Sequence, residues 1–230
     1  TVTSANIACG GHAGDADVMA ATMQLAHQNG VGIGAHPGFM DLAGFGRNRM
    51  SVPRTTLQNQ IRLQVAGSIG IARSMGARVR HLKLHGALAN MASEDPVLAR
   101  DLYEAALSVA PDLIVMVLAA TAQQQAVEEL RCVWAGEIFA DRAYNDDATL
   151  VDRSIEGAVI HDPEIAGARM VEMVGAGAII TQSGAHIPAA IDTICLHGDT
   201  PTAVDIARPV RSALEGADVR LETFDGRAPS

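Results

Sequence analysis

Four of the eight histidines in this 230-residue chain stand directly after short apolar runs, most of them beside a glycine. They are His12 in CGGHAGD, His36 in HPG, His85 before Gly86 and His197 before Gly198-Asp199. Glu137 with Asp141-Arg142, and Ser183-Gly184, follow other such runs. Imidazoles and carboxylates move protons near neutral pH, and a glycine next to them lets a ligand approach the backbone. A single loop histidine is more often a solvated side chain, but four at equivalent positions point to a site. In Val79–His85, period-two alternation puts His81, Lys83 and His85 on one face and Leu82 and Leu84 on the other. Three such side chains on one face of a buried strand are costly unless they bind something. The segment His36–Pro53 is a long loop with Arg47 and Arg49, suited to holding a carboxylate or phosphate, and its glycines suit a closing lid. Cys9 and Cys195 read as buried structural thiols. The spacing assembles no Ser/His/Asp or Cys/His triad.

The elements that must position these residues are legible from their periodicity. Strands are expected at Ser4–Cys9, Val31–His36, Val79–Leu84, Leu113–Leu118, Val133–Ile138, Ala178–Gln182, Thr193–His197 and Val219–Phe224. Helices are expected at Asp15–Asn29, Thr55–Met75, Pro96–Val109, Ala122–Arg131, Pro163–Val174 and Pro201–Leu214. Asp95-Pro96, Asp162-Pro163 and Thr200-Pro201 each offer a capping oxygen followed by a φ-locked first helical residue. Apolar strands alternating with helices mean an α/β chain with a parallel sheet. No GxGxxG follows the first strand and no GxxxxGK[ST] loop occurs, so a dinucleotide-binding sheet is disfavoured and a (β/α)-barrel favoured. Its inferred interior is small or polar: Ser4, Asn6, Gly32, Gly34, His36, Lys83, His85, Glu137, Cys195 and His197. That is a ligand cavity rather than a filled core. No linker or composition break divides residues 1–230, so one domain is expected.

Composition narrows the partners. The chain is 48% hydrophobic, 19% charged and only 3% aromatic, enough for an aliphatic core. A net charge of −9 disfavours nucleic acid and anionic membranes. Three cysteines without CxxC spacing suggest reduced thiols and a cytoplasmic setting. No run of about 18 apolar residues or secretory leader is seen. The chain opens almost inside a strand without an initiator Met, which points to residues upstream.

Five segments carry a family resemblance: SANIACGGHAGD (Ser4–Asp15), GVGIGAHPGFMDLAGFGRNRM (Gly30–Met50), HLKLHGALAN (His81–Asn90), EIFADRAY (Glu137–Tyr144) and ICLHGDTPTAV (Ile194–Val204). Together they resemble the LamB/YcsF family, whose members form the A-subunit of 5-oxoprolinase. The resemblance implies a fold related to the glycoside hydrolase/deacetylase (β/α)-barrels. It also implies ATP-dependent opening of 5-oxo-L-proline to L-glutamate, performed with subunits B and C. The family's usual opening strand, close to DLNCDxGE, is absent before ACGGHAGD, so the barrel is expected to lack its first strand. Leu84 and Ala89 also stand where the family motif KPHGALYN has Pro and Tyr.

Under this resemblance His12, Asp15, His36 and Glu137 are the catalytic candidates. Asn6, Arg47, Lys83, His85, Arg142 and His197 are the substrate-binding ones. ATP is the implied cofactor, bound at a non-standard site or with a partner subunit. Two other readings stay open. One is a metal-dependent deacetylase or amidohydrolase holding a divalent ion on His12, His36 and His85, disfavoured by the missing first-strand aspartate. The other is a non-catalytic binding subunit. Homo-oligomerisation is also open.

Overall fold

Strand β1 (Ser4–Ala8) begins a succession of strand–helix units in the computed structural model, which describes residues 1–198 and 203–228. It is followed by α1 (Ala16–Gln28), β2 (Gly32–His36), α2 (Arg54–Ser74), β3 (Val79–Lys83), α3 (Gly86–Glu94), α4 (Pro96–Leu107), β4 (Ile114–Leu118), α5 (Ala122–Leu130) and β5 (Trp134–Phe139). After a long loop come α6 (Pro163–Ala176), β6 (Ala178–Ile180), β7 (His186–Pro188), β8 (Thr193–Cys195) and α7 (Ala203–Gly216). Six parallel strands form one sheet in the order β1-β2-β3-β4-β5-β8. Caps start the helices where the sequence places them: Asp95 accepts from Val97 and Leu98, and Asp162 from Glu164 and Ile165. Asp199 and the Thr200-Pro201 start signal lie outside the described residues.

The sheet curls strongly. Lys83 Nζ on β3 reaches Cys195 Sγ at 2.9 Å, although β8 lies three places away in the sheet. In a flat sheet that separation is about 14 Å. This is a (β/α)-barrel-like fold, open between its edge strands β1 and β8. The convex face packs on helices: Ile7, Ile33, Ala35, Leu82, Val115 and Val117 meet Met23, Ile61, Val65, Leu102 and Val127 in one buried cluster. The concave face carries the polar set. Asn6, Gly34 and His81 lie in one register row across β1, β2 and β3. His81 crosses over Gly34 to reach Asn6 at 2.9 Å, and a Cβ at Gly34 would stand 2.0 Å from the imidazole. Glycine is therefore required there by the close approach.

Three expectations need correction. The Ala178–Gln182 run does not join the main sheet; β6 pairs antiparallel with β7, so only three of its residues are strand and they form a separate hairpin. Val219–Phe224 is irregular, because several of its residues turn toward the interior cavity instead of pairing with an edge. Helix α3 is unexpected, since no element is expected from the sequence between Leu84 and Pro96. No described helix is long and apolar enough to cross a membrane.

Candidate active site

The curled face and the loops at the C-terminal strand ends enclose a cavity of about 1230 Å³. Asn6, His12, His36, Arg47, Lys83, His85, Glu137, Arg142 and His197 all line it. Its floor is an ion pair. Lys83 Nζ lies 2.7 Å from the Glu137 carboxylate, both side chains being almost fully buried. Lys83 also donates to Cys195 Sγ and sits 4.6 Å from the centre of the Phe139 ring. Burial opposes the Lys83 charge, but the Glu137 carboxylate and the hydrogen bonds to Cys195 and Glu137 outweigh it and hold the ammonium protonated. Burial, reinforced by Glu137, pushes the Cys195 thiol up to about 12, so it stays protonated beside the lysine. Its chemistry here is that of a packing group and hydrogen-bond acceptor.

Above this pair three imidazoles cluster. His12 lies on His85 with ring centroids 3.6 Å apart and planes 8° from parallel. His36 meets both edge-on. His36 Nδ1 lies 2.8 Å from the Lys83 carbonyl, His85 Nε2 lies 2.8 Å from the Phe45 carbonyl, and the two inner nitrogens face each other at 3.1 Å. A carbonyl only accepts, so both outer nitrogens carry hydrogen. Three contacts then call for three protons, and two neutral rings supply two. Burial keeps the rings neutral, taking His85 down to about 4 and His12 to about 3, with His36 well below its usual value. The donor set does not suit a metal ion. His12 is parallel to His85, so its lone pairs do not converge with the inner nitrogens, and Lys83 opposes a cation. Among the described residues no group of three or more His, Cys, Asp or Glu is placed to hold one.

The opposite wall is built by the loops after β5 and β8. Asp141 Oδ2 receives a hydrogen bond from His197 Nδ1 at 2.7 Å, and His197 Nε2 lies 3.2 Å from Arg153 Nη2. Burial works to raise the Asp141 carboxyl, but His197 outweighs it and holds it below the usual carboxylate range. Asp141 Oδ1 is buried with no hydrogen-bond partner among the described residues.

A polar cavity at the C-terminal ends of parallel strands is where α/β folds place their ligands. The sequence profile of the LamB/YcsF family matches residues 1–228. The chain belongs to the LamB/YcsF family. A protein of Ruegeria pomeroyi, named as the A-subunit of 5-oxoprolinase, is 65% identical over 97% of this chain and 88% of its own length. One from Rhodopseudomonas palustris with the same name is 46% identical over 97% of this chain and 89% of its own. The crystal structure of a lactam utilization protein from Thermus thermophilus superposes with a TM-score of 0.89 at 35% identity, covering 97% of this chain and 89% of that one.

Not every expected residue of this LamB/YcsF chain reaches the cavity. Asp15 does not: its carboxylate caps α1 by accepting from Val18 N, and the residue is exposed. A helix cap and a catalytic acid use the same residue type, and the spacing favours neither. Arg142 lines the cavity but its guanidinium is committed to the carbonyls of Val151 and Ala158, fixing the loop after β5. Arg47 lies over the Phe45 ring at 5.1 Å, whereas Arg49 pairs with Glu94 at the surface. The Pro37–Pro53 loop is fastened rather than lid-like. Gln64 clamps Gly38 through both its N–H and its carbonyl, and Phe39 is fully buried. Asp41 N, His85 N and Ala87 N donate to Gly11, Pro37 and Gly46 carbonyls. Gly46 has φ +64, and a Cβ there would press to 2.8 Å from His12. Sequence reasoning misses Arg153 and Phe45, which lie in loops without periodicity. It names Asp141 only as a strand-end residue.

Proposed function

We propose that this chain is the A-subunit of an ATP-dependent 5-oxoprolinase, opening 5-oxo-L-proline to L-glutamate together with subunits B and C in the cytoplasm. The observation that carries the reading is 65% identity over 97% of the chain to a protein named for that activity. The cavity suits it chemically, because a small anionic lactam needs cationic and polar partners in a largely apolar enclosure. Opening an unstrained lactam lies near equilibrium, which gives a reason to couple it to ATP. ATP, when bound, supplies activation of the amide oxygen so that C5 becomes electrophilic. The sequence has no glycine-rich nucleotide loop of the familiar kind, so the nucleotide is taken up with a partner subunit.

The chain's own residues have separable tasks. Lys83, paired with Glu137, fixes the cavity floor and keeps a protonated ammonium there as a hydrogen-bond donor. The His12, His36 and His85 cluster forms a neutral wall beside it. Arg47 and Arg153, near the mouth, meet the substrate carboxylate or phosphoryl oxygens.

Reconstitution tests this. With 5-oxoproline and ATP, the chain mixed with subunits B and C is expected to release glutamate and ADP. The isolated chain is expected to bind 5-oxoproline calorimetrically without turning it over. Turnover by the chain alone, or no glutamate from the complete mixture, overturns the proposal.

A further inference from the structure

Resting on that reading, we propose that His197 is the general base for water addition to the lactam, that Asp141 is its positioning residue, and that Arg153 is the anion clamp beside it. Arg153 carries no motif signal and Asp141 is legible only as a strand-end residue; the geometry brings both to His197 from two loops. Asp141 and Arg153 both lie in the long loop between β5 and α6, and His197 follows β8.

The argument turns on which nitrogen of His197 carries hydrogen. Asp141 Oδ2, 2.7 Å from Nδ1, can only accept, so Nδ1 donates. The Arg153 guanidinium, 3.2 Å from Nε2, can only donate, so Nε2 presents a lone pair. One neighbour on each side thus selects a single neutral tautomer. This is how a buried carboxylate prepares an imidazole base in hydrolytic triads. The other imidazoles lining the cavity are differently placed: His36 and His85 face each other and two carbonyls, and His12 lies flat against His85 with its Nδ1 buried. Glu137 is held by Lys83. His197 lines the cavity with its side chain a quarter exposed, enough to meet a substrate. The charged and titratable groups facing it are Glu137 on β5, Asp141 and Arg153 in the loop that follows β5, and His85 just beyond β3.

The step balances simply. As the water oxygen bonds to C5, one water O–H bond breaks and its proton passes to His197 Nε2, giving an imidazolium that Asp141 stabilises. As the C5–N bond then breaks, the same proton passes to the departing ring nitrogen and His197 returns neutral. The new C5 hydroxyl loses its proton to solvent, leaving the activated oxygen's phosphoryl group on C5 as an acyl phosphate. A second water cleaves it to glutamate and inorganic phosphate. Arg153, leaving Nε2 to bind the substrate's anionic oxygens, frees the base when the ligand is present.

The test combines nitrogen NMR on the isolated chain with kinetics on the reconstituted complex. Wild-type His197 is expected to show hydrogen on Nδ1, and Asp141→Asn to invert it to Nε2 while thermal unfolding stays close to wild type. In the complex, Asp141→Asn is expected to lower kcat by roughly 10³- to 10⁴-fold with KM nearly unchanged. Arg153→Lys is expected chiefly to raise KM for 5-oxoproline. An active wild-type complex in which Asp141→Asn keeps kcat within threefold overturns this inference alone. So does wild-type His197 found with hydrogen on Nε2. A wild-type complex that releases no glutamate overturns the underlying reading, and the base assignment with it.

Discussion

His36 Nε2 and His85 Nδ1 face each other at 3.1 Å, each ring having its far nitrogen on a backbone carbonyl. The two carbonyls, of Lys83 and Phe45, cannot donate, so they fix the tautomer of both rings before any ligand enters. Nitrogen-resolved NMR near neutral pH should find His36 with hydrogen on Nδ1 and His85 with hydrogen on Nε2. Finding either ring as the opposite tautomer would mean that its carbonyl contact is not a hydrogen bond, and that wiring fails.

The buried Lys83–Glu137 pair predicts an asymmetric mutational response. Removing one partner leaves the other charge stranded, so Lys83→Ala should destabilise the chain by about 3–5 kcal/mol. Lys83→Met with Glu137→Gln removes both charges at similar volume and should recover most of that loss. The double variant should still fail to support glutamate release in the complex, because the cavity floor has lost its cation. Denaturant unfolding of both variants checks the first part. A Lys83→Ala chain as stable as wild type would show that the pair has little structural role.

Acid should unfold this protein earlier than its carboxylates alone would require. Burial holds His12 and His81 at about 3 and His85 at about 4, against an ordinary value of 6.5. The unfolded chain therefore binds protons in this window that the folded chain refuses. The stability these rings contribute is complete above pH 6.5 and drains as pH falls toward their folded values. For the walled-in His81, two pH units below its unfolded value amount to about 3 kcal/mol. Urea midpoints measured from about pH 7.5 down to about pH 4.5 should fall steeply below about pH 6. A flat profile across that range contradicts the buried neutral imidazoles.

Much of this arrangement can be read from the sequence, and the failures have physical causes. Alternation in Val79–His85 puts Lys83 and His85 on the concave face because a strand's period is fixed. Gly34 is legible as interior but not as the space His81 crosses, since that depends on a neighbouring strand's register. Glu137 is a natural partner for Lys83 because both end strands. Cys195, which also receives a Lys83 hydrogen bond, comes near only through the curl of the sheet. Asp15 is misread because a cap needs the same carboxylate as a catalyst. Arg153 lies in a loop whose path is set by Arg142 binding the carbonyls of Val151 and Ala158, a tertiary contact no local pattern reports.

Gln64 should control the site from outside it. Its side chain, almost fully buried on α2, accepts from Gly38 N at 3.1 Å and donates to Gly38 O at 2.9 Å, pinning the start of the Pro37–Pro53 loop. The same loop carries Phe45, whose carbonyl takes the His85 hydrogen bond, and Arg47 at the cavity wall. Gln64→Leu keeps the volume but strands a buried N–H and a buried carbonyl, at a cost of about 2–3 kcal/mol. The loop should then loosen around Gly38, where the clamp acts, while Phe39 packing and the Arg49–Glu94 pair still tether it farther along. Hydrogen exchange at Gly38, Asp41 and Gly46 should quicken, and KM for 5-oxoproline in the complex should rise more than kcat falls. If exchange at these three amides is unchanged in Gln64→Leu, the clamp is not what holds the loop, and Phe39 packing must carry it.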